Sequence, residues 1–325
     1  MKLIKITKKI KLIIIKMSDS DLAEACGQLY NAMKGVGTKE DILIKVTVQY
    51  PLTIRLKIRD KYKSLYGQDL LEDLKSDLSG NFKELMLGLY TDRYEYDADQ
   101  CNKAIKGLGT DDDTLIEILG TRPNWMLKKV KDVYKKKYNV ELEKDVIDDT
   151  SGDYQRLLVS LLQCSRSENK IPDKEKSLEM AKDLFKGNKE RDKIGIDDTK
   201  INKYFALSSP VELMYLAREF HEEYGKSLIK VIEEEFGGDL RKLIKTIFYA
   251  NISPSEYFAT RIREAVKGLG TNEKILNRVV ITRNEVDMDI IKEYYRILYS
   301  RNLVEDVKGD TSGYYQKLLV ALIEK

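Results

Sequence analysis

The chain has 325 residues, 57 basic against 54 acidic, and a formal charge of +3. Six lysines and no acid lie within residues 1–16, so the remainder carries −3, and charge gives no reason to expect nucleic-acid binding by the folded part. Three scattered cysteines (Cys26, Cys101, Cys164) and a single histidine exclude a disulfide framework and a Cys/His zinc site, and point to a reducing cytoplasm.

Scarce proline and abundant Leu, Ile, Lys and Glu predict a mostly helical protein. Residues 1–18 form a basic leader. Its longest apolar run, Leu12-Ile13-Ile14-Ile15, is far short of the roughly 18 to 20 residues that cross a bilayer. No small-residue cleavage site follows it. Ile4, Ile6, Ile10, Leu12 and Ile14 interleave with lysines, a pattern that could lie on an anionic membrane surface. A loose tail, or a folded body starting at Met17, explains the same residues.

A five-residue stretch then recurs with an acid 39 positions after its Thr. It reads Lys34-Gly35-Val36-Gly37-Thr38 with Asp77, Lys106-Gly107-Leu108-Gly109-Thr110 with Asp149, and Lys267-Gly268-Leu269-Gly270-Thr271 with Asp310. The spacing leaves room for a fourth unit between the second and third copies. Counting back 39 from Glu235 reaches Ile196, so the third corner is expected at Lys193-Ile194-Gly195-Ile196, with one glycine and the Thr lost. The expected organisation is repeat 1 over 19–92, repeat 2 over 93–164, a polar linker over 165–177, repeat 3 over 178–251 and repeat 4 over 252–325.

Repeat 2 shows the expected helices. One ends near Lys106, stopped by Gly107. Thr110 is placed to cap the next, with Asp113 as its capping partner. That helix carries Leu115, Ile116, Ile118 and Leu119 inward, and Pro123 opens a third, with Met126, Leu127, Val130, Val133 and Tyr134 at helical spacing. A fourth runs from Val140 to Ile147. A fifth follows Gly152 with Leu157, Leu158, Leu161 and Leu162 on one face. These stripes are core-forming in period and composition.

Glycine as a helix stop and Thr as a cap account for any one loop without a metal. Three loops must also account for an acid at one offset, a coincidence of about one in two hundred for unrelated positions, although shared descent weakens that count. A hard cation such as calcium takes six to eight oxygens and accepts backbone carbonyls. Three carbonyls from a Gly-x-Gly turn and one bidentate carboxylate would supply five and leave room for water or a lipid phosphate. A single carboxylate also leaves the site net positive, which attracts anions. An EF-hand run is absent. His221, in Arg218-Glu219-Phe220-His221-Glu222, reads as a surface or packing residue. No nucleophile with a base and no paired carboxylates in a cleft motif appear, so no enzyme is expected.

The stretches Met33-Lys-Gly-Val-Gly-Thr38, Ile105-Lys-Gly-Leu-Gly-Thr110 and Val266-Lys-Gly-Leu-Gly-Thr271, with their distal acids, resemble the calcium motif of the annexin family over residues 20 to 325. The resemblance implies an all-α protein of four five-helix repeats of about 70 residues forming a curved disc. It also implies reversible, calcium-dependent, peripheral binding to acidic phospholipids, in the cytoplasm at the inner face of the plasma membrane. Carried over by position, Ca2+ would take the carbonyls of Met33, Gly35 and Gly37 with Asp77. The second set is Ile105, Gly107, Gly109 and Asp149, and the fourth is Val266, Gly268, Gly270 and Asp310. In repeat 3 only Glu235 remains. Val36, Leu108 and Leu269 would touch the membrane interface beside Lys34, Lys106 and Lys267, which would meet anionic head groups. The family's early arginine of the third helix is seen as Arg122 and Arg283, whereas Tyr50 and Ser208 take its place in repeats 1 and 3, which suggests an altered polar centre. The divergence is similar to that of protozoan annexins of the alpha-giardin type, which are associated with membrane and cytoskeleton, and the alternative reading is a cytoskeleton-associated structural or linker protein that uses the annexin disc as a scaffold.

Overall fold

The computed structural model describes residues 18–107, 109–188, 193–268 and 270–325. The basic leader up to residue 17, Leu108 and Leu269 therefore lie outside the described residues.

Repeat 1 is built from α1 (Asp19–Met33), α2 (Glu40–Gln49), α3 (Leu52–Tyr66), α4 (Leu70–Asp77) and α5 (Gly80–Leu89). Its start is fixed by Ser18, whose hydroxyl accepts from the Asp21 amide while the Asp21 carboxylate accepts from the Ser18 amide. Pro51 precedes α3, and Gly67 ends it in the left-handed region at φ 68°. Repeat 2 repeats the order in α6 (Arg93–Ile105), α7 (Asp112–Thr121), α8 (Asn124–Tyr138), α9 (Leu142–Asp149) and α10 (Gly152–Leu162). The predicted apolar stripe of α7 is buried, Leu115, Ile118 and Leu119 completely. Thr110 is not the cap of α7. Asp111 is, its side chain accepting from the Thr114 amide, because the Thr110 hydroxyl is drawn away to Asp149.

Repeat 3 departs from the plan. Its first helix, α11 (Lys174–Leu184), begins inside the stretch read as linker, capped by Asp173. A two-stranded antiparallel hairpin follows, β1 (Phe185–Asn188) against β2 (Lys193–Ile196), pairing Phe185 with Ile196. The second helix is reduced to a 3-10 turn at Asp198–Lys200 and a π turn at Asn202–Ala206. Regular structure resumes in α12 (Pro210–Tyr224), α13 (Leu228–Glu235) and α14 (Gly238–Ile252). Repeat 4 is regular again: α15 (Pro254–Val266), α16 (Glu273–Arg283), α17 (Met288–Tyr299), α18 (Leu303–Asp310) and α19 (Gly313–Glu324).

The chain forms two compact units, one joining repeats 1 and 4, the other spanning Tyr94–Tyr257. In the second, α7 packs on α14 so closely that a Cβ on Gly120 would come within 2.9 Å of Thr246 Cγ2. In the first, α19 packs on α2 and α16 on α5. The apolar faces meet in these pairings, and each fully buried Leu or Ile contributes about 1.5 to 3 kcal/mol.

In repeat 1, where the family arginine is missing, another arginine takes its place. In repeat 1 the Tyr50 carbonyl accepts a 2.7 Å bond from Arg55, a residue only 1% exposed that also pairs with Glu285 of repeat 4 at 3.0 Å. Arg122 is held bidentately by Asp97 at 2.8 and 3.0 Å. Arg283 pairs with Asp287 at 2.8 Å.

Candidate metal-binding corners

Met33, Ile105 and Val266 are the last residues of α1, α6 and α15. From each of these helix ends the chain turns through the glycine loop and is pinned by one recurring backbone bond. Lys39 N–H donates to Ala32 O (2.9 Å), Asp111 to Ala104 O (2.9 Å) and Asn272 to Ala265 O (2.8 Å). The turn needs left-handed backbone at Gly37, Gly109 and Gly270, with φ of 83°, 77° and 83°. A Cβ there would meet no heavy atom within 4 Å, so the constraint is conformational and the space is open. Val36, at the first tip, is fully exposed at 109%.

The distal acid reaches the corner as expected. The Thr38 hydroxyl donates to Asp77 Oδ2 at 2.6 Å, and the Thr110 hydroxyl to Asp149 Oδ2 at 2.8 Å. In repeat 4 the bond shifts: the Thr271 hydroxyl donates to the Asp310 backbone carbonyl at 2.6 Å. Asp310 Oδ2 is left buried with no hydrogen-bond partner among the described residues. A buried carboxylate oxygen without a donor costs about 1 to 3 kcal/mol or more unless a ligand satisfies it. Among the described residues no group of three or more His, Cys, Asp or Glu side chains could hold a metal ion. A cation here therefore depends on backbone carbonyls joined to one carboxylate. Open left-handed turns, an adjacent carboxylate and the unpaired oxygen of Asp310 fit a hard, oxygen-seeking ion such as calcium.

Repeat 3 corrects the sequence reading. Lys193-Ile194-Gly195-Ile196 is a strand and not a glycine turn. The closing bond runs from Asp197 N–H to Leu184 O at 2.8 Å, thirteen positions apart where the other corners span seven. Six inserted residues become the hairpin. Glu235 still arrives 39 positions after Ile196, but its Oε2 accepts the Ile196 amide at 2.7 Å. The backbone N–H takes the carboxylate that the Thr hydroxyl takes in repeats 1 and 2. A Cβ on Gly195 would overlap Glu235 Oε1 and come within 2.9 Å of Lys186 O. Gly195→Ala is therefore expected to lower unfolding free energy by about 1 to 3 kcal/mol in urea titration, with calcium-dependent membrane binding unchanged.

A second repeated pair supports each corner, and the sequence reading missed it. Tyr62 donates to Asp73, Tyr134 to Asp145 and Tyr295 to Asp306, each at 2.6 Å. Each Asp precedes the corner acid by one helical turn, so the bond fixes the helix that presents it. Burial works to raise the Asp145 carboxyl, yet bonds from Tyr134 and Lys106 outweigh it and hold its pKa below the ordinary value. Burial, with the Asp306 bond, pushes the Tyr295 phenol up to about 12. In repeat 3 the matching positions are Phe220 and Val231, both fully buried and apolar. Lys106 donates inward to Asp145 at 2.9 Å. Lys34 lies over the Tyr30 ring at 5.3 Å, and Lys267 is exposed.

The annexin family model matches four segments, 23–89, 96–161, 188–247 and 257–322. The third begins inside the hairpin and leaves out α11, the helix that leads into the altered corner. Annexin A13 of Mus musculus is 42% identical over 296 residues, covering 91% of this chain and 93% of the relative. Among solved structures, annexin III superposes with a TM-score of 0.90 at 31% identity over 95% of both chains. A calcium-bound annexin (Sm)1 does so at 0.81 and 32%, over 94% of this chain and 90% of the other. Calcium-bound alpha-14 giardin, with a TM-score of 0.79 at 22% identity over 94% of this chain and 100% of the other, shares the fold. With its four matched repeats and this likeness along nearly its whole length, the chain belongs to the annexin family, whose members bind Ca2+ and, through it, acidic phospholipids.

Proposed function

We propose that the protein binds acidic phospholipid membranes reversibly through the glycine corners of repeats 1, 2 and 4. The carbonyls of Met33, Gly35 and Gly37 with Asp77 hold one calcium ion. Ile105, Gly107, Gly109 and Asp149 hold a second, and Val266, Gly268, Gly270 and Asp310 a third. The bound ion supplies positive charge that joins the corner to a lipid phosphate. The chain supplies the rest: turns that leave carbonyls accessible, Thr38 and Thr110 orienting their acids, and Val36 placed to enter the headgroup region. Glu235 is spent on the backbone and holds no ion. The observation that carries this reading is the contrast between Asp310, with a buried oxygen lacking a donor, and Glu235, whose carboxylate is taken by an amide. Two things support peripheral attachment: the single carboxylate per corner, which leaves a bound divalent ion net positive, and the lack of a helix, among the described residues, long and apolar enough to cross a membrane.

Sedimentation with vesicles containing phosphatidylserine tests it. The protein is expected to pellet with calcium and to return to the supernatant with chelator. Pelleting that is equal in both would contradict the reading and would favour attachment by the basic leader or by a filament partner.

A further inference from the structure

In the second compact unit, α8 (Asn124–Tyr138) carries six lysines against one acid, Asp132. Lys131, Lys135 and Lys137 are paired, with Glu143 at 3.8 Å, Glu141 at 2.5 Å and Glu95 at 2.9 Å. Lys128, Lys129 and Lys136 are exposed and have no acidic partner among the described residues. Trp125 and Lys129, one turn apart, both lie against Tyr94, the indole edge-on with ring centroids 6.4 Å apart and the ammonium 4.8 Å from the ring centre. Trp125 is 54% exposed and is the chain's single tryptophan. The neighbouring face of the helix, Asn124, Lys128 and Lys131, covers the segment after α10: Lys131 donates to Leu162 O at 2.6 Å and Asn124 Nδ2 to Arg166 O at 2.8 Å. Burial raises the Cys164 thiol against the pull of Lys131 and Lys128, which places Lys128 over the same segment. Arg166 is half-buried, and its guanidinium makes no hydrogen bond or ion pair among the described residues. Desolvation alone lowers its pKa to about 10.

The chemistry of the surface narrows the occupant. A guanidinium withdrawn from water without a partner calls for an anion, and its fork takes a carboxylate bidentately. From Trp125 to Lys136 the free cations run along about 16 Å of helix, more than one small anion spans and suited to an extended chain. A single exposed indole differs from the series of aromatics on which nucleic-acid readers stack successive bases. Trp, Tyr and Arg together are the side chains that anchor protein interfaces, and free lysines around them steer an acidic partner. The basic leader, with six lysines and no acid within residues 1–16, has the wrong charge to lie here. Tyr134, whose bond to Asp145 braces the corner, stands about 14 Å along the helix from Trp125, so this surface is separate from the corner's lipid. Helix α3 supplies an internal comparison. It is basic as well, but Thr53, Leu56 and Ser64 stand where α8 has Trp125, Lys128 and Lys136, so it has charge without an aromatic anchor.

We propose that the outer face of α8, together with Arg166, docks an acidic peptide segment of a partner protein. Arg166 and Lys128 take carboxylates at one end of the segment. Trp125, backed by Tyr94, receives an apolar side chain carried among the acids, and Lys129 and Lys136 extend the track along the helix.

The test uses the full chain and an oligoglutamate peptide with one central phenylalanine. The peptide is titrated in chelator, at physiological salt, while the emission of Trp125 is followed and affinity is measured by calorimetry. The variants are Arg166→Gln, Lys128→Gln/Lys129→Gln and, as a control for general charge on the matching helix of repeat 1, Lys57→Gln/Lys63→Gln. Thermal melts confirm that each is folded, and the lysine variants are surface changes that keep the test open if Arg166→Gln is not. Peptide binding is expected to shift the Trp125 emission. Arg166→Gln and the α8 double variant should each weaken it about tenfold, and the α3 control should leave it unchanged. An unchanged emission, equal weakening by the α3 control, or tighter binding of a single-stranded oligouridylate than of the peptide overturns the proposal. The titration contains neither calcium nor lipid, so the membrane reading stands or falls separately.

Discussion

Replacing Asp77, Asp149 and Asp310 together by Ala is expected to abolish calcium-dependent pelleting with phosphatidylserine vesicles. Each corner offers one carboxylate, so its loss leaves only neutral carbonyls, which cannot hold a divalent ion against water. The corners act on one membrane surface at once, so their contributions multiply. A single replacement should raise the calcium needed for half-binding by roughly tenfold, and the triple by on the order of a thousandfold. The structural cost is smaller: Asp77 and Asp149 each accept one Thr hydroxyl, a bond of about 1 kcal/mol. Asp310 accepts no such side-chain bond and should cost the fold least. Glu235→Gln provides the contrast, since it touches the backbone of a hairpin and should leave membrane binding unchanged. A triple variant that pellets as well as wild type, with an unchanged melt, would remove the corners from the mechanism.

The second large effect concerns stability. Arg122 and Asp97 form a bidentate pair with side chains 5% and 0% exposed. Removing one partner leaves a charge inside the protein, which costs about 3 to 5 kcal/mol. The two halves of the pair differ. Buried Glu117 also raises the Arg122 pKa, so Arg122 without Asp97 keeps a carboxylate nearby. Arg122→Ala instead leaves the Asp97 carboxylate without its bidentate partner and removes the positive charge that acts on Glu117. Arg122→Ala should therefore destabilise more than Asp97→Ala in urea titration, and Arg122→Met/Asp97→Leu should recover most of the loss. The exposed pair Lys308 with Glu305, at 42% and 66%, should yield under about 1 kcal/mol on either replacement. Equal losses for Arg122→Ala and Asp97→Ala would remove Glu117 from the account.

Helical period and the 39-residue offset made the repeats and their acids legible, because both are local or simply counted. Leu115 and Leu119 point inward as their spacing requires. Competition between partners was not legible. Thr110 has the chemistry of a cap, but Asp149 offers its hydroxyl a charged acceptor and Asp111 caps instead. Tyr50 at the family's arginine position suggested an altered polar centre, and Arg55, one and a half turns on, fills it from another helix position. The Tyr-Asp braces were present in the sequence at fixed offsets of 24 and 35 from residues 38, 110 and 271, and a search for recurring pairs beyond the glycine motif would have found them. Repeat 3 was misread for a different reason. Counting back from Glu235 found the right residue, Ile196, but an offset carries no information about inserted length, and the insertion had become a hairpin.

The corner account is tested most directly by a crystal structure of the protein grown with calcium. It predicts ions at the corners closed by Asp77, Asp149 and Asp310, with the Ile196 amide still bonded to Glu235 and no ion in repeat 3. An ion held by Glu235, or empty corners at all three aspartates under saturating calcium, would contradict it.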